Sequence, residues 1–253
     1  MTDRTERVRL YSQEMISLFS ETRSLCGNQR EQAQRQFGLM NHNDARITAF
    51  SRLEISLNSA LILLKFMELS IEYDWFKMHY IDNFNISKNF NHPNEYFIPF
   101  SRFSFLLSLW SATESSFKIF NKFLLDKGKV LSINKNSVFY KKLFNLLRKT
   151  PSDAIETLDG LRNYRNTIHN YGIFNDPYTD EISIKRDGEI RKYVTGDRVI
   201  DLTWGALNDY AEKVVNIFKE IIFDSELTAF KEHILDPLTD ARENEREMSK
   251  RSD

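Results

Sequence analysis

Residues 101–127 read SRFSFLLSLWSATESSFKIFNKFLLDK, and this stretch decides the fold class. Large apolar side chains recur in it every three or four positions, which is the period of an α-helix. The run is the most hydrophobic in the chain and stops at Gly128, a residue that favours the end of a helix. A helix this apolar has to be covered by other helices, so the stretch predicts an all-α, up-and-down helical bundle.

The sequence before this stretch predicts more helix, because the same apolar period returns there. A first helix is expected over 5–25, and a second runs from a cap at Asp44 to about residue 80. Between them, 27–43 is polar and rich in Gln, with Gly27 among its expected helix breakers, and a short helix flanked by turns is expected there. Residues 82–99 are dense in Asn and contain two prolines, so a loop is expected there.

After residue 128 the pattern predicts three further helices. The first covers 135–149 and is amphipathic. Its basic face consists of Lys141, Lys142, Arg148 and Lys149. The second begins at Thr150 as N-cap, with Pro151 in its first turn, and contains Gly160, which marks a close helix crossing. The last long helix covers 202–223.

A period of two residues replaces the helical period in two short runs, 181–186 and 189–194. Asp187 and Gly188 separate these runs, and Asp-Gly is a strong signal for a two-residue hairpin turn. The sequence therefore predicts a small β-hairpin at about residues 179–195, inserted before the last long helix.

Three parts of the chain follow from this pattern. Residues 1–100 form N-terminal helices packed on the bundle, and 101–235 form the core that contains the hairpin. A short helix is expected over 225–234. The polar composition of 236–253 predicts a disordered tail.

The composition of the 253 residues suits a helical protein with a substantial core. Hydrophobic residues make up 41%, including 20 Phe and 10 Tyr, with only 8 Gly and 5 Pro. The formal net charge of −1 means that any contact with nucleic acid must come from a local cluster of cations. Cys26 is the single cysteine, and no histidine has a partner at metal-ligand spacing. We therefore expect no disulfide, no metal site and no cofactor.

The amino terminus lacks the pattern of a signal peptide. The longest apolar run, 57–69, is interrupted by Asn58, Lys65 and Glu68, and it falls short of a membrane span. We therefore expect a soluble cytoplasmic protein that makes no membrane contact.

Residues 161–172, Leu-Arg-Asn-Tyr-Arg-Asn-Thr-Ile-His-Asn-Tyr-Gly, carry the candidate chemistry. On a helix, the positions three, four and seven residues before His169 share its face, and they hold Asn166, Arg165 and Arg162. The neighbouring stripe holds the apolar residues Leu161, Tyr164 and Ile168. The stretch therefore predicts a helix that buries one stripe and presents a polar one beside it.

Two guanidinium groups, a carboxamide and an imidazole suit work on a phosphodiester. Arginine presents a planar fork that matches phosphate oxygens and can hold the charge that builds on them in a transition state. Histidine titrates near neutral pH and can take or give a proton. RNA supplies its own nucleophile, the 2′-hydroxyl, so its cleavage needs no metal ion. The alternative is an exposed polar helix face that ends in an ordinary histidine.

The stretch resembles the Arg-polar-x-His signature of the HEPN superfamily, in which four to six residues separate the arginine from the histidine. Arg162 is followed by the polar Asn163, and six residues separate it from His169. The run from Arg165 to Gly172 is similar to a variant found in many HEPN-like proteins, although its spacing is one residue short. Either arginine is therefore a candidate for the family's arginine. The resemblance covers about 101–223 and implies a HEPN-like bundle with its motif helix late in the chain.

The resemblance implies a metal-independent endoribonuclease that works as a homodimer, with a composite site where two motif helices meet. In that site His169 is the acid–base residue, Arg162 or Arg165 stabilises the phosphorane, and Asn166 positions the phosphate. The products would carry a 2′,3′-cyclic phosphate. Families of this kind act as toxins or phage-defence nucleases, so an antitoxin or defence protein is an expected partner besides the RNA substrate.

Three further residues are candidates for supporting roles. Tyr171 matches a tyrosine that a partner enzyme can modify in relatives with a His-x-Tyr ending, and the alternative for it is a packing role. Asn170 stands between His169 and Tyr171. Glu114 lies among the apolar residues of 101–127, so its carboxylate must reach either solvent or a partner. An arginine of the motif helix is a candidate for that partner.

Two other classes of function stay open. One is a non-catalytic HEPN-like module that binds nucleotide or builds a dimer, and carboxylate partners for both arginines would favour it. The other is an adaptor protein that uses its aromatic helices as a partner surface, and a large exposed apolar patch would favour it.

Overall fold

The computed structural model describes residues 3–38, 43–70, 93–169, 181–186, 189–197 and 202–237. In chain order, its elements are α1 (Asp3–Phe37), α2 (Ala45–Ser70), α3 (Pro93–Asp126), α4 (Phe139–Leu147), α5 (Ala154–His169), β1 (Glu181–Arg186), β2 (Glu189–Val194), α6 (Trp204–Ile222) and α7 (Ser225–Thr228). The chain is mostly helical, which confirms the all-α class at that level.

The predicted hairpin is present between the last two long helices. Strands β1 and β2 pair antiparallel, with Glu181 opposite Val194 and Arg186 opposite Glu189. This register leaves two residues to connect the strands, as the Asp-Gly pair predicts. Asp187 and Gly188 themselves lie outside the described residues.

Contacts divide the chain into two compact units, and each draws on three stretches. The first unit consists of Met1–Ser24, Ile55–Trp110 and Asp159–Glu212. The second consists of Leu25–Glu54, Ser111–Leu158 and Lys213–Asp253. The division into 1–100, 101–235 and a tail stays a prediction.

An aromatic cluster lies at the centre of the first unit. Phe19, Phe105 and Trp204 are all buried, and the Phe19 ring meets the other two edge-on at centroid distances of 5.2 and 5.7 Å. Beside them the buried Thr22 hydroxyl donates a hydrogen bond of 3.0 Å to the Asn208 side chain. Helices α1, α3 and α6 are therefore joined here by ring contacts and a satisfied polar pair.

The second unit has its own aromatic core. Phe50, Phe117 and Phe218 are each fully buried, and the Phe117 and Phe218 centroids lie 5.1 Å apart. Phe144 of α4 meets the Phe117 ring edge-on at 6.2 Å, so the apolar face of α4 packs against this cluster. The high Phe content of the sequence therefore serves core packing in both units.

Helix α1 is longer than the sequence pattern predicts. It continues through Gly27 to Phe37, where a break was expected. The reason is that this polar stretch still buries one helical face, which holds Cys26, Gln29 and Ala33. The predicted end of the first helix at residue 25 is therefore wrong.

The predicted loop over 82–99 is wrong for its last residues. Helix α3 begins at Pro93 and includes Pro99. A proline in the first position of a helix loses nothing, because its missing N–H would have no intrahelical partner there. The Asn and Pro content hid a helix start, while 71–92 lies outside the described residues.

The N-cap prediction holds for α2 and fails for α5. Asp44 accepts a hydrogen bond of 2.9 Å from the backbone N–H of Arg46, as an N-cap does. Helix α5 begins at Ala154 rather than at Pro151, because Asp153 has a φ of +55°, which is not helical. The Asp153 carbonyl accepts the first bond of the helix, from Thr157. Asp153 therefore takes the place predicted for Thr150.

Helix α2 is long and apolar enough to cross a membrane by length and composition, and half of its most apolar stretch is buried. The core helix of a soluble protein passes the same test.

At the other end of the chain, Asp236, where the predicted tail begins, is fully buried and pairs with Arg52. Residues 238–253 lie outside the described residues.

Candidate functional site

Helix α5 packs on α6 through its apolar stripe. Leu161 and Tyr164 are buried, as predicted, and the Tyr164 and Tyr210 rings meet edge-on at 5.8 Å. A Cβ atom added to Gly160 would lie 2.5 Å from the Tyr210 hydroxyl oxygen. The close crossing predicted at this glycine is therefore present, and it sets the rotation of α5 about its axis.

That rotation brings the predicted polar stripe to a partly open face. Arg162, Arg165 and Asn166 are each half-buried and lie on α5 at the predicted helical spacing. On the buried side, the Thr167 hydroxyl donates a hydrogen bond of 2.8 Å to the Asn163 carbonyl. The structure thus separates a packed side of α5 from a half-buried polar side.

Arg165 and Asn166 are joined directly. Nη1 of Arg165 donates a hydrogen bond of 3.1 Å to Oδ1 of Asn166. Within the described part of the chain, Arg165 makes no ion pair with a carboxylate. Among the described residues, Asn166 is the acceptor bonded to its guanidinium, whose planar set of N–H groups matches phosphate oxygens.

Arg162 has a different environment. Its Nε atom is buried, and the residue already takes part in a further interaction within the fold. Both arginines are half-buried, but a buried or already engaged donor cannot also serve a ligand, and this applies to the Nε atom of Arg162. The geometry therefore distinguishes the two arginines that the sequence left equivalent, and it favours Arg165 as the phosphate-binding one.

His169 is the last residue of α5, one turn beyond Arg165. Four residues of helix advance the backbone by about 6 Å, so the Cα of His169 follows that of Arg165 along the same face. The His169 side chain lies outside the described residues, and so do Asn170, Tyr171 and Gly172. The predicted roles of these residues stay predictions.

Glu114 has a partner on its own helix. Its carboxylate is 2.7 Å from Nζ of Lys118, one turn further along α3, and the Glu114 side chain is 30% exposed. The carboxylate therefore reaches both solvent and a structural partner, which was the expectation, and that partner is Lys118 instead of an arginine of the motif helix. Residues four positions apart are neighbours on the surface of a helix, so the two side chains can pair without a tertiary contact. Because the carboxylate is partly exposed to solvent, it also avoids the free-energy cost of complete burial.

Cysteine nucleophilicity and metal binding are two other chemistries that the described residues bear on. Cys26 is fully buried, and burial together with the nearby Glu54 carboxylate raises the pKa of its thiol to about 12. The thiol is therefore protonated at neutral pH and is a poor nucleophile. No group of three His, Cys, Asp or Glu side chains within the described residues has the arrangement of a metal site.

Comparison with known proteins gives no match to a family model, to a curated protein or to a solved structure.

Proposed function

We propose that this protein is a metal-independent endoribonuclease of the HEPN type. The observation that supports the proposal is Arg165: a half-buried guanidinium with no carboxylate partner among the described residues, bonded to Asn166 and one turn from His169. An arginine left without a counter-ion on a helix face, next to a carboxamide and a histidine, is suited to receive a phosphodiester.

The reaction needs only groups from the protein and the substrate. His169 takes the proton from a ribose 2′-hydroxyl, whose oxygen attacks the adjacent phosphorus. Arg165 binds the non-bridging oxygens as charge builds on them, and Asn166 holds the phosphate in place. The bond from phosphorus to the 5′-oxygen breaks, and that oxygen takes up a proton. The products are a 2′,3′-cyclic phosphate and a 5′-hydroxyl.

One helix face offers a single histidine for two proton transfers. We therefore place the active form in a homodimer, where the His169 of one protomer acts as base and its counterpart as acid. Such a nuclease fits a cytoplasmic toxin or phage-defence effector, controlled by an antitoxin or another defence protein. Its ability to cut RNA of the host is the reason that it would need a regulator.

The first experiment incubates labelled mixed RNA with the wild type and with His169→Ala. Loss of a general acid–base group is expected to slow cleavage by about 10²–10⁴-fold. Alanine favours helix, so circular dichroism of the variant should match the wild type. Cleavage should persist in EDTA, and the product ends should carry cyclic phosphate. Equal rates for His169→Ala and the wild type would refute the role of the histidine.

The second experiment distinguishes the two arginines with charge-conserving substitutions. Arg165→Lys keeps the charge but loses the planar fork, so it should lower kcat by about 10²-fold or more. Arg162→Lys is the matched control on the same helix and should stay within about threefold of the wild type, because we assign it no phosphate contact. The opposite ranking would transfer the role to Arg162.

The alternative is a non-catalytic HEPN-like module that binds nucleotide or forms a dimer through the same stripe. The guanidinium of Arg165 is compatible with this alternative, since an arginine binds a phosphate whether or not cleavage follows, whereas ion pairs of both arginines with carboxylates would favour it over the nuclease. A wild-type protein that binds RNA or nucleotide but releases no cleavage product at high concentration would select this alternative.

A further inference from the structure

Helix α4 is short, and its two sides differ sharply. One side is buried and consists of Tyr140, Leu143, Phe144, Leu146 and Leu147. The other side carries Lys141 and Lys142, and Arg148 follows at the end of the helix. A chain with a formal net charge of −1 therefore concentrates cations around one small element of the second unit.

A groove of about 700 Å³ runs along this element. Its polar lining includes Lys141, Arg148, Lys149, Ser132, Asn145 and Thr150. No acidic side chain is present among the described residues that line it. Lys149 also pairs with Asp224 at 3.3 Å, whereas Arg148 is exposed and makes no ion pair within the described ranges.

A second, smaller groove of about 320 Å³ borders the start of α4. Lys118, Lys122 and Lys142 line it, together with the acidic Asp126. Lys118 is paired with Glu114, so Lys122 and Lys142 supply most of the available positive charge there. We call the set of Lys122, Lys141, Lys142 and Arg148 the α4 basic surface, in which Lys141 also takes part in an interaction within the fold.

Arg148 has an unusual backbone conformation for an arginine. Its φ is +53°, in the left-handed region, and it ends α4 with the Lys149 N–H bonded to the Phe144 carbonyl at 3.1 Å. Glycine is the residue that adopts this position without conformational cost. An arginine in the left-handed conformation at a helix end costs more conformational energy than a glycine would. Residues in such unfavourable backbone conformations are concentrated at functional sites.

We propose that the α4 basic surface binds the phosphodiester backbone of RNA, as a docking surface for the substrate. The inference rests on the proposed function, which makes RNA the substrate. Lys141 and Arg148 line the larger groove and Lys122 and Lys142 line the smaller one, so the cations are distributed over two grooves instead of surrounding one phosphate position. The surface therefore suits a polymer better than a small phosphorylated ligand.

The lining also predicts how the RNA is held. Phe144 in the larger groove is only 3% exposed and Phe139 in the smaller groove is half-buried, so base stacking on these two rings is limited. Affinity should then come from cations and phosphates, with little sequence preference and strong salt dependence.

The experiment measures binding of labelled single-stranded RNA by fluorescence anisotropy over a range of salt concentrations. All proteins carry His169→Ala to prevent cleavage. Combining Lys141→Ala, Lys142→Ala and Arg148→Gly should weaken binding about 50-fold at physiological salt. The plot of log K against log salt should also become less steep: the magnitude of its negative slope should fall by about 2, which is about 0.7 for each lost phosphate contact. Arg148→Gly alone should weaken binding about fourfold.

Arg148→Gly also shows whether a loss of RNA binding could come from misfolding. Glycine is preferred at a left-handed helix end, so the thermal midpoint of this variant should equal or exceed that of its parent. The control is Lys219→Ala, which removes one exposed cation from α6 and should change RNA affinity by less than about twofold because we assign Lys219 no phosphate contact.

The outcomes separate this inference from the proposed function. Equal RNA affinity for the triple variant and the Lys219→Ala control would overturn the docking surface, even if the wild type cuts RNA. Binding to anionic phosphatidylglycerol vesicles but not to RNA would also overturn it. A wild type that binds RNA through these cations but cuts nothing would support the surface and reject the nuclease.

Discussion

Arg46 is a fully buried arginine that uses all five of its N–H groups. Its Nε and Nη2 atoms donate to the Asp44 carboxylate at 2.9 and 2.7 Å. The remaining donors bind the backbone carbonyls of Leu227, Phe230 and Glu232 at 3.0, 2.8 and 3.0 Å. The Arg46 side chain at the start of α2 therefore stabilises the segment that follows α6, because it donates hydrogen bonds to these three backbone carbonyls.

Replacing this arginine should be costly. In Arg46→Met, the buried Asp44 carboxylate loses its counter-ion and three carbonyls lose their donor, so the free energy of unfolding should fall by about 3–5 kcal/mol. Arg35→Met is the control, because Arg35 pairs with Glu31 at 3.8 Å on an exposed face and should change stability by less than about 0.5 kcal/mol. Urea denaturation measures both, and equal midpoints would contradict the prediction.

At the scale of elements, the crossing of α5 and α6 depends on the missing side chain of Gly160. The Tyr210 ring occupies the space next to this glycine, with its Cζ and Cε1 atoms at 3.2 and 3.3 Å from an added Cβ. Helix α5 therefore presents Arg165 and Asn166 at an orientation that the crossing sets. A residue with no polar atom in its side chain thus contributes to the geometry of the candidate site.

Gly160→Ala should destabilise the protein although alanine favours helix. The added methyl group would meet the Tyr210 hydroxyl, and overpacking of this kind costs about 1–3 kcal/mol. Adding Tyr210→Phe removes the closest atom and should recover part of the loss. Gly27→Ala is the control, since its Cβ would meet only Glu54 at 3.8 Å, and it should stabilise α1 by about 0.5–1 kcal/mol. Thermal midpoints that rise in both alanine variants would disprove the crossing argument.

At the scale of the whole molecule, the composite site predicts a homodimer. The first unit also has apolar residues that a contact between protomers can bury: Ile55, Ile62 and Leu69 are 54%, 69% and 41% exposed and recur every seven residues on α2. Sedimentation velocity should show a dimer at micromolar concentration for the wild type, and Arg165→Lys should keep it. A wild type that stays monomeric at high micromolar concentration would rule out the composite site.

How far the sequence predicted the fold depended on the kind of signal. The apolar period predicted α6 to within two residues, and the Asp-Gly pair predicted the hairpin register, because both signals are complete within a short stretch. The helix-breaker signal failed at Gly27 and again at Pro93, since in both places a helix forms in a stretch that carries helix-breaking residues.

The candidate site also has features that the sequence predicted and features that it did not. The sequence alone determined that Arg162, Arg165 and Asn166 share a face of one helix, because helical geometry follows from hydrogen bonds within a turn. Tertiary structure decided that the Nε atom of Arg162 is buried and that Arg165 makes no ion pair with a carboxylate among the described residues. Burial and charge pairing depend on which distant segments pack together, and no pattern within a single helix specifies that.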